Sequence, residues 1–166
     1  MKLTELNQED LVKNIEKTLS LLTDFLGIEL QYKYEITAYT AGTGEERELL
    51  SLILKGEENG PLLIGYHGRT LENLQHLISL SLSNEYKQTI RIQLDINDYR
   101  QKKIENLENL ARRAAQQVIE SGQELELQPM PAADRRIVHQ VITSEGKLRT
   151  ESIGEDYERR IIVKPI

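Results

Sequence analysis

The apolar residues change spacing repeatedly along this chain, and that alternation limits the fold more than any other feature. Between residues 3 and 26, Leu11, Ile15, Leu19, Leu22 and Leu26 recur at helical spacing, which predicts an amphipathic helix stopped by Gly27. The period then drops to two. "IELQYKYEITAYT" (28–40) alternates and is rich in Tyr, Ile and Thr, as a strand should be. "AGTGEER" reads as a turn and "ELLSLILKG" as the second strand of a hairpin. Pro61 suits the first turn of a short helix. Helical spacing returns from Thr70 to Leu82 with Leu71, Leu74, Leu77, Ile78 and Leu82. "TIRIQLDI" (89–96) is a third strand with Ile90, Ile92, Leu94 and Ile96 on one face. The predicted first unit, 1–96, is α+β, with helices on one face of a three-stranded sheet.

A second unit, 97–166, is expected to open with a long connecting helix, 98–121, whose stripe is Ile104, Leu107, Ala111, Ala114 and Val118. "ELELQPMP" predicts a short strand stopped by prolines. Residues 132–145 predict a helix closed by Gly146, and two strands should flank a Gly154-Glu155-Asp156 turn. With no Trp and one Phe, the cores of both units must be built from Leu, Ile and Val.

Composition narrows the functional classes. The net charge is −6, but residues 1–59 hold 6 Lys+Arg against 12 Asp+Glu, and residues 129–166 hold 7 against 6. The deficit lies in the first third, and small basic patches remain open to the rest. No apolar run approaches the ~20 residues of a membrane span, so no membrane insertion is expected. The opening residues lack the apolar stretch of a secretory signal. Cys is absent, which excludes thiolate metal sites and disulfides and fits a reducing, cytoplasmic location. No catalytic nucleophile, metal-ligand spacing or cofactor motif appears, so no enzyme activity, metal or cofactor is expected.

Two constellations point to a ligand. The first is "LLIGYHGRTLENLQHLISL" (62–80), with Gly65 and Gly68 bracketing Tyr66 and His67, and Arg69 next in line. Glycines allow a tight turn and close approach of a ligand's backbone. The helix that follows directs its first N–H groups at an anion. The pair between the glycines carries neither Lys nor Arg. The second is Arg135 and His139, four apart and therefore on one helical face. Arg149, Arg159, Arg160 and Lys164 follow on the closing strands, with Arg160 and Lys164 on a common face. A cation and an imidazole so placed can hold a phosphate. Tyr32 and Tyr34 share a strand face, where sheet packing is the expected role and base stacking the alternative. His76 is expected at the surface.

The Ile-Gly-x-x-Gly-x-Thr-Leu run, set after a strand and a short helix, resembles a KH domain of the type II topology, whose loop grips the backbone of about four nucleotides. The helix carrying Arg-x-x-x-His, set between strands, resembles the R-three-H domain. The two in tandem, with "LDINDYRQKKIENLENLARRAA" and "IGEDYERRIIVKP", resemble the Jag (SpoIIIJ-associated) family of bacterial RNA-binding proteins. The small N-terminal domain and charged linker of many members are not expected here. The resemblance implies a single-stranded RNA-binding regulator, with single-stranded DNA as the other strand type. Contacts would come from Gly65, Tyr66, His67, Gly68, Arg69, Arg135, His139, Arg149, Arg159 and Arg160. It also implies a second copy or a second KH protein as partner. The competing reading is a protein-interaction adaptor that pairs through its KH unit and has little RNA affinity.

Overall fold

The structure is a computed structural model that describes residues 3–5, 7–40, 42, 44–56, 59–144 and 146–166; the side chains of Glu5, Leu22 and Phe25 lie outside that description. The chain is α+β and separates into two compact units, Met1–Tyr99 and Arg100–Ile166.

In the first unit, helix α1 runs from Gln8 to Leu26. It starts later than the predicted residue 3 because Asn7 caps it, accepting the Glu9 N–H at 3.0 Å. Leu3–Glu5 form a separate 3₁₀ turn, where Thr4 Oγ1 donates to the Glu48 carboxylate at 2.7 Å. Gly27 closes the helix in the left-handed region, φ 64°. Leu11, Ile15 and Leu19 are buried as the stripe predicts, while Leu26 is exposed at the helix end. The predicted contribution of the Leu22 side chain lies outside the described residues.

Strands β1 (Gln31–Thr40) and β2 (Glu46–Lys55) pair antiparallel, Tyr34 opposite Leu52. The predicted turn between them includes residues 41 and 43, outside the described ones. Strand β3 (Ile92–Ile96) lies parallel to β2, Leu52 opposite Leu94, giving the order β1-β2-β3. A parallel pair needs a crossover. Helices α2 (Gly60–Ile64) and α3 (Arg69–Glu85) supply it. One sheet face, with Leu50, Leu52, Leu54, Leu94 and Ile96, packs with Leu71, Ile78 and Leu82 of α3 and the buried stripe of α1.

Tyr32 and Tyr34 take the packing role. They are part-buried against this core, and their hydroxyls donate to Glu16 (2.9 Å) and Gln8 (3.5 Å) of α1. Burial, reinforced by the Glu16 carboxylate, pushes the Tyr32 phenol up to about 12.

In the second unit, α4 (Tyr99–Ser121, its first residue belonging to the first unit) buries Leu107, Ala111, Ala114 and Val118. Ile104, predicted to join that stripe, is 40% exposed. Strands β4 (Leu125–Glu126), β5 (Leu148–Ile153) and β6 (Arg160–Pro165) form an antiparallel sheet ordered β4-β6-β5. The predicted strand before the prolines keeps only two regular residues. Beyond them Leu127 and Met130 still donate to the carbonyls of Ile161 and Arg159, while Pro129 has no N–H to give. Helix α5 (Ala132–Thr143) packs Val138 and Ile142 on the sheet. It ends before the predicted 145, a residue outside the described ones. Among the described residues no helix is long and apolar enough to cross a membrane.

Candidate functional site

The glycine-bracketed loop is held in a conformation that its two glycines make accessible. Gly65 ends α2 at φ 68°, ψ −174°, a region almost confined to glycine. A 3₁₀ turn over Tyr66–Gly68 follows, with His67 at φ 52° and Gly68 at φ 86°. The Gly68 N–H donates to the Gly65 carbonyl at 3.2 Å, and α3 begins at Arg69. Space is as restrictive as angle. A β-carbon on Gly65 would overlap Thr70 Oγ1 and lie 2.7 Å from Thr70 Cβ. One on Gly68 would lie 2.9 Å from the ring of Tyr99.

The β3–α4 junction sets the Tyr99 ring against Gly68 and is itself tied to the end of β2. Asn97 and Asp98 both adopt positive φ, and the Asn97 amide donates to the Gly56 carbonyl at 2.9 Å while accepting its N–H at 3.3 Å. Tyr66 projects outward, 73% exposed, and its ring meets His67 edge-to-face with centroids 4.3 Å apart. Arg69 is exposed at the start of α3. The loop therefore presents an aromatic pair and one guanidinium on a fixed backbone. His76 is exposed on α3, as expected.

The second constellation is built where α5 crosses β5 and β6. Arg135 donates from Nη1 to the carbonyls of Met130 (2.8 Å) and Arg159 (3.4 Å). One turn later, His139 Nδ1 is hydrogen-bonded to Thr150 Oγ1, so the ring edge bearing Nε2 is the one left for a ligand. Arg159 donates from Nε to Ser152 Oγ at 3.2 Å. These side chains, with Ala132, Arg136 and Ile161, line a cavity of about 410 Å³ whose lining contains no carboxylate. On the buried side of α5, Asp134, 1% exposed, is paired with Lys103 of α4 at 2.7 Å, which fixes the start of α5 against α4.

Strand register separates the expected arginines. Thr150 and Ser152 lie opposite Val163 and Ile161 on the face that α5 covers. Arg149 pairs with Lys164, and Ile153 with Arg160, on the other face. Arg160 is ion-paired to Glu126 and donates to the Glu158 carbonyl at 2.9 Å; Lys164 pairs with Glu151 at 2.6 Å. The structure thus brings Arg135, His139 and Arg159 together. It sets Arg160 and Arg149 on the opposite face of the sheet, because neighbours on a strand point to opposite faces and Ile161 claims the core side. Arg136, Thr150 and Ser152 were not among the expected site residues. Strand geometry puts Thr150 and Ser152 on one face, and the register of β5 against β6 turns that face towards α5.

Residues 105–165 match the R-three-H domain family. The chain is 30% identical over 162 residues to the RNA-binding protein KhpB of Clostridium symbiosum, covering 98% of this chain and 68% of that protein. It is 33% identical over 108 residues to the RNA-binding protein KhpB of Bacillus subtilis (strain 168), covering 64% of this chain and 52% of the relative. Against the RNA-binding protein KhpB of Lactiplantibacillus plantarum it is 34% identical over 102 residues, or 61% of this chain and 32% of that one.

Proposed function

The chain belongs to the KhpB, or Jag, family of bacterial RNA-binding proteins, and from that premise we propose that it grips single-stranded RNA by its backbone at two places and acts as a post-transcriptional regulator. The observation that carries this reading is the α5 cavity. Arg135, His139 and Arg159 converge on it without an opposing carboxylate, inside the segment that matches the R-three-H family. Such a wall accepts phosphates in sequence-independent fashion. The second place is the loop Gly65–Arg69, read as a KH clamp. Its pinned backbone can lie against a sugar-phosphate chain, Tyr66 can stack on a base or ribose, and Arg69 supplies charge.

Each place alone offers little charge. Two weak contacts on one chain strengthen each other through effective concentration. This reading needs no catalytic step and no cofactor, and it puts the protein in the cytoplasm, where a chain without Cys meets RNA. A second copy or another KH protein is the partner expected for the first unit.

The test is binding of a mixed-sequence single-stranded RNA across a salt series, for the wild type and for two double variants, Arg135→Ala/His139→Ala and Tyr66→Asp/His67→Asp. Affinity that falls with salt, and falls further in both variants, supports the two-contact reading. Loss in the first variant alone leaves the loop as a protein-pairing element. No salt-dependent binding in the wild type overturns the proposal.

A further inference from the structure

Resting on the RNA reading of the α5 cavity, we infer that its phosphate-neutralising charges are Arg136 and Arg159, and that Arg135, the arginine of the Arg-x-x-x-His motif, is a positioning residue. The motif alone would assign the charge to Arg135. Its Nη1 is instead turned onto the protein's own backbone, donating to the carbonyls of both Met130 and Arg159. The Arg159 carbonyl also accepts the Met130 N–H at 3.1 Å. Arg135 therefore staples the chain entering α5 to the start of β6, and it is only half-exposed.

Arg136 has the opposite surroundings. It lines the same cavity, is exposed, and makes no hydrogen bond or ion pair among the described residues. Arg159 is exposed and commits only its Nε, to the neutral hydroxyl of Ser152. Arg136 and Arg159 thus present exposed guanidinium groups on a wall free of carboxylates, whereas Arg135 is half-buried and bridges two backbone carbonyls. His139, fixed through Nδ1 by Thr150, sits between helix and strand with its other ring nitrogen to offer. The ligand class this suits is adjacent phosphates of one phosphodiester backbone, held by two separate cations, rather than a single anion gripped by the motif pair.

Salt dependence reads the difference directly. For single strands the slope of log K against log salt falls by about 0.7 for each phosphate contact removed. The full chain would be titrated with a labelled mixed-sequence single-stranded RNA at several salt concentrations, beside thermal unfolding of each variant. Arg136→Gln and Arg159→Gln should each make the slope shallower by about 0.7 with an unchanged Tm. Arg135→Met should lower Tm and weaken binding at every salt concentration, along a line parallel to the wild type. A shallower slope in Arg135→Met, with Arg136→Gln parallel to the wild type, overturns this division of roles and leaves RNA binding intact. Absence of any wild-type binding overturns the RNA reading and this inference with it.

Discussion

Replacing Gly68 by Ala tests how the loop is held. Two costs combine. An alanine at φ 86° pays the left-handed penalty, about 1–2 kcal/mol. Its β-carbon would also stand 2.9 Å from Tyr99 Cε1 and 3.1 Å from the hydroxyl, so ring or loop must shift, an overpacking cost of about 1–3 kcal/mol. The expected loss is about 2–5 kcal/mol from these terms together. Gly27 isolates the first: its φ is 64°, and nothing lies within 4 Å of the added carbon. Gly27→Ala should therefore lose about 1–2 kcal/mol only.

Urea unfolding followed by tyrosine fluorescence is the suitable assay, because there is no Trp and six of the seven tyrosines lie in the first unit. Repeating the substitution in a Tyr99→Leu background should remove most of the excess. Equal losses for Gly68→Ala and Gly27→Ala, or an excess that survives without the ring, would refute the steric argument.

Three further outcomes follow from other contacts. Tyr32 has its phenol raised from an ordinary value of 10 to about 12, so the fold favours the neutral form; that stability is full below pH 10 and lost as pH rises towards 12. Tyr32→Phe should flatten this part of the urea midpoint against pH, and an identical profile would count against it. Lys103→Met leaves the buried Asp134 carboxylate without this ion pair and should cost about 3 kcal/mol in denaturation followed by far-ultraviolet circular dichroism; a neutral effect would sink the claim. Asn7→Ala removes the α1 cap and should cost about 1 kcal/mol by the same measurement, whereas Asn7→Asp should be tolerated.

Most of the fold was legible because spacing alone carries it. The α1, α3 and α4 stripes and the alternation in β3 report which side meets the core, apart from Leu26 at the end of α1, Leu77 of the α3 stripe and Ile104 of the α4 stripe, which are exposed. The loop was legible through its glycines, whose backbone demands act within the loop itself. What escaped depends on contacts distant in sequence. That Gly68 must be bare follows from Tyr99, thirty-one positions later. That Arg160 faces away from His139 follows from the register of β6 against β5. The tie from Asn97 to Gly56 depends on a positive φ, which asparagine tolerates but its name does not announce. Arg136 belongs to no sequence motif, and only the fold places it on the cavity wall.

The paired charges on the outer face of the second unit's sheet bear on how a ligand arrives. Arg160 with Glu126 and Lys164 with Glu151 pair across neighbouring strands on the face that also carries Arg149, while the opposite side keeps guanidinium groups around a lining without carboxylates. The residues from 129 onward sum to only +1. This unit therefore exerts little pull at long range, but it has a preferred orientation at close quarters, within the roughly 8 Å over which charge is felt at physiological salt. Capture by such a surface is a matter of turning rather than of attraction. On the proposed reading, a polyanion close to this unit is turned onto the α5 side in the last few ångströms.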